Sequence, residues 1–526
     1  MACCCLAALA LVWAACGGRA PAGGPARPVL HLGNGAEPKD LDPAIVTGML
    51  EFHILQALLE GLTGLDPATL QPIPAAAEGW EVSKDRRTYT FHLRKVARWS
   101  NGDPVTADDF VYSWTRLLAP ATAAEYAYQA HYIKNGRAYN EGKLKDPAAL
   151  GLSAPDSHTL VVELESPTPF FLSLLNHHAL YPVHRRAVEA HGTRWTRPEN
   201  YVGNGPFKLK EWEMNSVIAV ERSPTYWDAA VVKLDEIRFY PIEDEATEEK
   251  QFRAGKIHVT NTVPLERIPY WREQTDVYSA FPSFGTYYYE LNVTRGPQKD
   301  KRVRRALAMS IDRTALVEKV LRGGQMPAYA FTPPATAGFT PSAGLRYDTE
   351  EARRLLAAAG YPGGKGFPKL DILYNTMEGH RKVAETLQQM WKRELGIEVG
   401  LYNQEWKVFL DTKRKLDYDI GRAGWWGDYP DPNTFLDMYV TNGGNNHTGW
   451  SNAEYDDLVR KASQAATQEE RYRYFQRCEE ILAEEAPIMP WYIYTHPFLK
   501  RPEVGGWVLN VMDVRLYKHM WLGAAQ

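Results

Sequence analysis

The sequence predicts an α/β protein of two or three domains, on three observations. Helical periodicity in residues 348–359, 379–395, 453–464 and 467–485 alternates with short β-type runs such as RTYTFHL, TLVVEL, TYYYELNV and KLDILYN. The 526 residues are 44% hydrophobic, which supplies more than one substantial core. No repeat of fixed period is present, so the mixture reads as ordinary α/β layering.

In chain order, residues 2 to 16 (ACCCLAALALVWAAC) come first, apolar without interruption but shorter than the roughly 18 residues a membrane-spanning helix needs. They read as an export signal. Ala14-Ala15-Cys16-Gly17 places two small residues before a cysteine, the pattern of lipidation at Cys16 after cleavage. Residues 1–16 are thus expected to be a signal peptide and Cys16 an anchor. Residues 17–28, GGRAPAGGPARP, hold nothing that could bury itself and read as a flexible tether.

The body beyond is close to charge balance, at a formal −4 for the whole chain, and suggests no nucleic-acid partner. Cys3, Cys4, Cys5 and Cys16 belong to the signal region, so Cys478 stands alone in the folded body. That body must hold together without a disulfide. Cys478 lies among Phe475, Ile481 and Leu482 at helical spacing and reads as a buried structural thiol. Helix starts are marked by Asp348-Thr349-Glu350-Glu351 and by Thr467-Gln468-Glu469-Glu470, and a stop by Gly360-Tyr361-Pro362-Gly363-Gly364.

Aromatic residues are abundant, with 16 Trp, 29 Tyr and 17 Phe. Most must be core, but clusters such as Tyr287-Tyr288-Tyr289, Trp425-Trp426 and Trp491-Tyr492-Ile493-Tyr494, interleaved with single charges, suit the walls of a ligand cleft. Enzyme signatures are missing. There is no HExxH helix or GxSxG elbow, and GYPGGKG at 360–366 has the wrong spacing for a phosphate loop. The pair His177-His178 has no acidic or cysteine neighbour at ligand spacing, so a metal site is not expected there. The expectation is a binding protein without catalytic residues, metal or cofactor.

The segment DYDIGRAGWWGD, residues 417–428, carries the sharpest functional signal. If it is extended, Arg422, Gly424, Trp426 and Asp428 share one face: a cation, bare backbone, an aromatic and an anion in a row. Arg422 and Asp428 would stand about 20 Å apart at ~3.3 Å per residue, and arginine's reach shortens the gap to the length of a short peptide with free ends. The same residues also fit a blander arrangement, with Asp428 capping the following YPDP turn and Arg422 in a strand salt bridge.

These stretches together resemble the family 5 solute-binding proteins of ABC importers. The resemblance is carried by GAEPKDLDP near residue 35, YTFHLRKVARWSNGDPVTADDFVYSW at 89–114, NGPFKLKEW at 204–212, ERSPTYWD at 221–228, TYYYELN at 286–292 and MPAYAFTPP at 326–334. NQEWKVFLDT at 403–412 and RAGWWGDYPDPNTF at 422–435 are similar to the oligopeptide-binding branch in particular. What this implies is a two-lobed clamp, class II and cluster C, of three domains: domain I from 29–60, 186–284 and 496–526, domain II from 61–185, and domain III from 285–495. A monomer is expected to capture short oligopeptides between the lobes in the periplasm and deliver them to a membrane permease and its ATPase subunits, touching the membrane only through its lipid.

By the same resemblance, Asp428 would hold the peptide's α-ammonium. Arg422, Lys413 and His380 would meet the C-terminal carboxylate of peptides of differing length. Gly424, Trp426 and Met49 would bond the peptide backbone, and Tyr126, Trp406 and Tyr288 would line side-chain pockets. Gly285 and Trp426 stand where relatives have bridged cysteines, Thr47 where they have a glutamate, and Lys413 where they have an arginine. Relatives that bind nickel chelates, haem, glutathione or oligosaccharides, and peptide-sensing receptors, are the alternatives the family leaves open.

Overall fold

A computed structural model of the chain describes residues 28–523 apart from 335 and 466. Cys16, the signal segment and all of the tether except Pro28 lie outside the described residues. Three sheets organise the chain. In the first, Val29–Gly33 runs parallel to Glu236–Tyr240, which continues antiparallel through Val217–Arg222 to Phe207–Glu213. Helix α1 (Met49–Leu58) packs against its Phe207–Glu213 strand. Helix α2 (Glu245–Arg253), opened by the side chain of Asp244 accepting from the Thr247 amide at 2.6 Å, follows its central strand. The second sheet is antiparallel, in the order Ala77–Val82, Thr88–Leu93, Thr159–Glu163, Leu152–Asp156.

The third sheet is the largest. Its strands are β1 (Tyr278–Leu291), β2 (Leu370–Asn375), β3 (Val399–Gln404), β4 (Ile420–Trp426) and β5 (Ile488–Leu499), with the two-residue strand Met326–Pro327 at one edge. From that edge the order is β5, β1, β4, β2, β3. Alternation along β1 sends Tyr287, Tyr289 and Leu291 to one face, where they join Ile372, Val383 and Leu387 in a core under helices including α3 (Glu378–Leu395). Tyr288 goes to the other face, against Phe331 and Tyr439. Helix α4 (Trp406–Arg414) links β3 to β4 and is capped by the Glu405 carboxylate, which accepts from the amides of Lys407 and Val408.

β1 and β5 are long because they serve two neighbourhoods. Tyr278–Pro282 pairs with Thr495–Leu499, the register then shifts, and Thr286–Glu290 pairs with Ile488–Ile493. The lower end is stitched toward the first sheet: Thr260 N donates to Leu499 O at 2.9 Å, and Val259 bridges both Lys500 and Leu32. Pro282 fits because it sits at the break, where a missing donor costs little. Cys478 is fully buried and unbonded, its thiol pushed up by burial, in keeping with a structural role. Among the described residues, no helix is long and apolar enough to cross a membrane, and no group of three His, Cys, Asp or Glu is placed to hold a metal.

Candidate ligand-binding cleft

The connections between the three sheets converge on one cavity of about 330 Å³. β4 forms its floor. Ala423 and Trp425 are buried, and Trp425 is fixed by its indole N–H donating to Thr434 O at 2.7 Å, whereas Arg422, Gly424 and Trp426 are half-buried on the cavity side. β2 accompanies β4 only at Ile372↔Ile420 and Leu373↔Gly421. Beyond Gly421 the outer edge of β4 is therefore released from that neighbour, leaving backbone donors and acceptors open to an added strand.

Gly424 is required by close approach, since a Cβ there would lie 2.2 Å from the Tyr494 hydroxyl. That hydroxyl accepts from Arg422 Nη2 at 2.7 Å, and the Tyr494 ring stacks on Trp426 with centroids 4.7 Å apart. The Arg422 guanidinium lies 4.9 Å over the Tyr287 ring, and its Nε has no partner. No carboxylate is within ion-pair distance of Arg422 among the described residues. The strand salt bridge that the sequence left open for it is not formed.

Asp428 lies just past the end of β4, and its carboxylate is buried against neutral donors. Gln129 Nε2 donates to Oδ2 at 2.6 Å, and His177 Nε2 stands 3.2 Å from Oδ1. His177 Nδ1 accepts from the Ala179 amide, so Nε2 carries the proton that points at Asp428. Burial holds the His177 pKa at about 3 and that of His178 at about 3, so both rings are uncharged at neutral pH. With no cation to balance it, burial raises the Asp428 pKa to about 8, only partly opposed by His178, Gln129 and Thr434. The YPDP turn is capped by Asp431, which accepts from the Asn433 amide at 2.9 Å and is held by Arg471. Asp428 is thus free of the turn-capping duty.

Met49, Tyr126, His380 and Trp406 also line the cavity. Gly48 permits the approach of α1 to Trp406, for a Cβ would meet that ring at 3.3 Å. The Tyr126 ring lies 4.3 Å from His177, at the Asp428 end. His380 sits at the Arg422 end with Nδ1 3.4 Å from the Tyr287 hydroxyl. Burial keeps it well below its ordinary pKa, so there it is a hydrogen-bonding group and not a cation.

Two expected site residues are corrected. Tyr288 does not line the cavity: it pairs with the buried Ala423 and packs against Phe331 and Tyr439, on the face of β1 opposite the one that Tyr287 shares with Gly424. Lys413 lies two helical turns beyond Trp406, about 10 Å along α4, where its Nζ sits 2.7 Å from the buried Glu290 carboxylate. Its charge is used there. Sequence reasoning missed Gln129 and His177, and named Tyr287 and Tyr494 only within aromatic clusters suited to a cleft wall. The only available signals were the adjacent histidines and the aromatic clusters.

The model for "bacterial extracellular solute-binding proteins, family 5 Middle" matches residues 71–447. The periplasmic oligopeptide-binding protein of Salmonella typhimurium is 39% identical over 507 residues, covering 92% of each chain. The solved oligopeptide-binding protein of Haemophilus influenzae, in complex with RPPGFSPFR, is 38% identical and overlays with a TM-score of 0.90 across 95% of this chain and 99% of its own. The murein tripeptide binding protein of Escherichia coli, 39% identical, overlays at 0.91 across 95% of this chain and 99% of its own, but at 0.65, across 95% and 98%, in a structure described as its unliganded open form.

Proposed function

The chain belongs to the bacterial extracellular solute-binding proteins of family 5, and from that premise we propose that it captures short peptides with free termini for an ABC-type permease. One observation carries the reading. A buried carboxyl group just past the end of β4 and a half-buried guanidinium six residues earlier on it, neither with an oppositely charged partner, face one cleft along a strand whose edge is open. Such charges are costly alone and complementary to an ammonium and a carboxylate joined by a backbone. A sugar has no use for them. Affinity would come from main-chain pairing to β4 and from the two termini, with loose demands on side chains.

The periplasmic setting of the relatives supports the same location for this protein; that Cys16 is its lipid anchor and the monomer its working unit is our proposal. We further propose that the domain boundaries fall at the register shift in β1 and opposite it in β5, so that these strands are the hinge. The overlay values favour the shut arrangement for this chain. A binding role leaves the peptide unaltered.

Native mass spectrometry of protein extracted from membranes tests these readings together. Expected are an acyl mass on a chain beginning at Cys16 and intact short peptides released from the cleft. A sugar or haem in their place, or peptides cleaved on incubation, would overturn the reading. Within the site, Tyr288→Phe is expected to change affinity for trialanine by less than about twofold in calorimetry, because its ring faces the core. A tenfold loss would return Tyr288 to the cleft.

A further inference from the structure

Beside Asp428 and Arg422 the cleft holds another acidic or basic group without an ion-pair partner. Glu245, in the first turn of α2, is 7% exposed and lines the cavity, and its Oε2 has no hydrogen-bond partner. Its neighbour Glu248 also lines the cavity, but that carboxylate accepts the amides of Asn261 at 2.8 Å and Thr262 at 3.3 Å. Lys382, the cation that acts on Glu245, makes its ion pairs with Glu266 at 3.2 Å and Glu378 at 3.9 Å. Burial first, then the nearby Glu266 and Glu378 charges, oppose ionisation of Glu245, while the Gly379 amide and, more weakly, Lys382 favour it.

Gly379 fixes where this group stands. A Cβ on that glycine would be 3.7 Å from Glu245 Oε1, and the next residue, His380, contacts Tyr287 beneath the Arg422 guanidinium. Glu245 therefore belongs to the Arg422 end of the cleft, remote from Asp428. A buried carboxylate with an open oxygen is satisfied by a cationic donor. In a peptide whose α-ammonium is taken by Asp428, the only other cation is a side chain.

Resting on the peptide reading above, we propose that Glu245 is a specificity-determining residue that receives a lysine or arginine side chain near the C-terminal end of the bound peptide. The experiment uses trialanine and tetra-alanine with lysine, norleucine or Nε-acetyl-lysine placed at each position in turn, titrated calorimetrically into the full chain and into Glu245→Gln. At one position near the C-terminus, lysine should bind at least tenfold more tightly than both neutral counterparts, and Glu245→Gln should bring that ratio close to one. Equal affinities at every position in the unaltered protein, or a ratio that survives the substitution, would overturn the proposal. If the variant does not fold, the acetyl-lysine comparison on the unaltered protein decides alone. Failure of trialanine itself to bind would overturn the peptide reading and this one with it. That result is distinct, because trialanine carries no cationic side chain.

Discussion

Asp428→Asn is expected to weaken binding of a short free-ended peptide by two to three orders of magnitude. In a closed cleft the peptide ammonium would lose its only anionic partner, and stranding one member of a buried charge pair costs about 3 to 5 kcal/mol, with roughly 1.4 kcal/mol per tenfold. Asparagine keeps the volume, but its single carbonyl oxygen can accept from only one of Gln129 and His177, so the acetylated-peptide arm, which leaves the protein unaltered, separates the loss of charge from that local mismatch. Acetylating the peptide's N-terminus should cost the unaltered protein a similar amount. The two changes together should cost less than their sum, because both delete the same interaction. Calorimetry on the four combinations measures this coupling. Equal affinity of the unaltered protein for free and acetylated peptide would remove Asp428 from its role.

The second large effect concerns stability. Asp513 is buried, 2.8 Å from His53 Nε2 on α1, and accepts from Arg515 Nε at 3.0 Å and Nη2 at 2.8 Å. Burial alone would push its pKa up, but Arg515 and His53 overcome this and hold it far below the usual carboxylate range. Asp513→Asn should lower unfolding free energy by about 3 to 5 kcal/mol, because it leaves Arg515 buried and unmatched. Asparagine tolerates the left-handed backbone at this position, φ 49°, so strain does not confuse the result. A depressed carboxylate stabilises the fold above its unfolded pKa of about 4, and that contribution drains away as pH falls below it. His53, neutral in the fold with a pKa of about 4 against about 6.5 unfolded, draws stability down in a separate window between those values. Urea titrations across pH should show the Asn variant weaker at neutral pH with a flatter limb below about pH 4. A variant within 1 kcal/mol of the unaltered protein would show that the cluster is decorative.

Local rules made much of this molecule legible. The four helical periodicities correspond to Thr349–Ala358, Glu378–Leu395, Ala453–Gln464 and Gln468–Glu485, and Asp348 and Thr467 do cap their helices. The first half of β1 was hidden, because Pro282 and Gly285 read as breakers and only a register shift accommodates them. The alternation of Arg422, Gly424 and Trp426 needed only a two-residue period and appears as expected. Asp428's environment could not be read, since Gln129 lies 299 positions away in sequence and no spacing rule reaches that far. Lys413 was misplaced for a related reason. Its helix was foreseeable, but the buried Glu290 that captures its charge lies on another strand.

The raised pKa of Asp428 also bears on when the clamp shuts. Exposed to water, such a carboxylate titrates near 4; shut in the cleft, it titrates at about 8. At pH 7, about three units above its exposed pKa, closing on nothing must protonate it, at a cost on the order of 4 kcal/mol at 1.36 kcal/mol per unit. A cargo that brings its own ammonium removes that barrier. On the proposed clamp reading, unladen carriers would be biased to stay ajar, and the shut shape would itself report cargo.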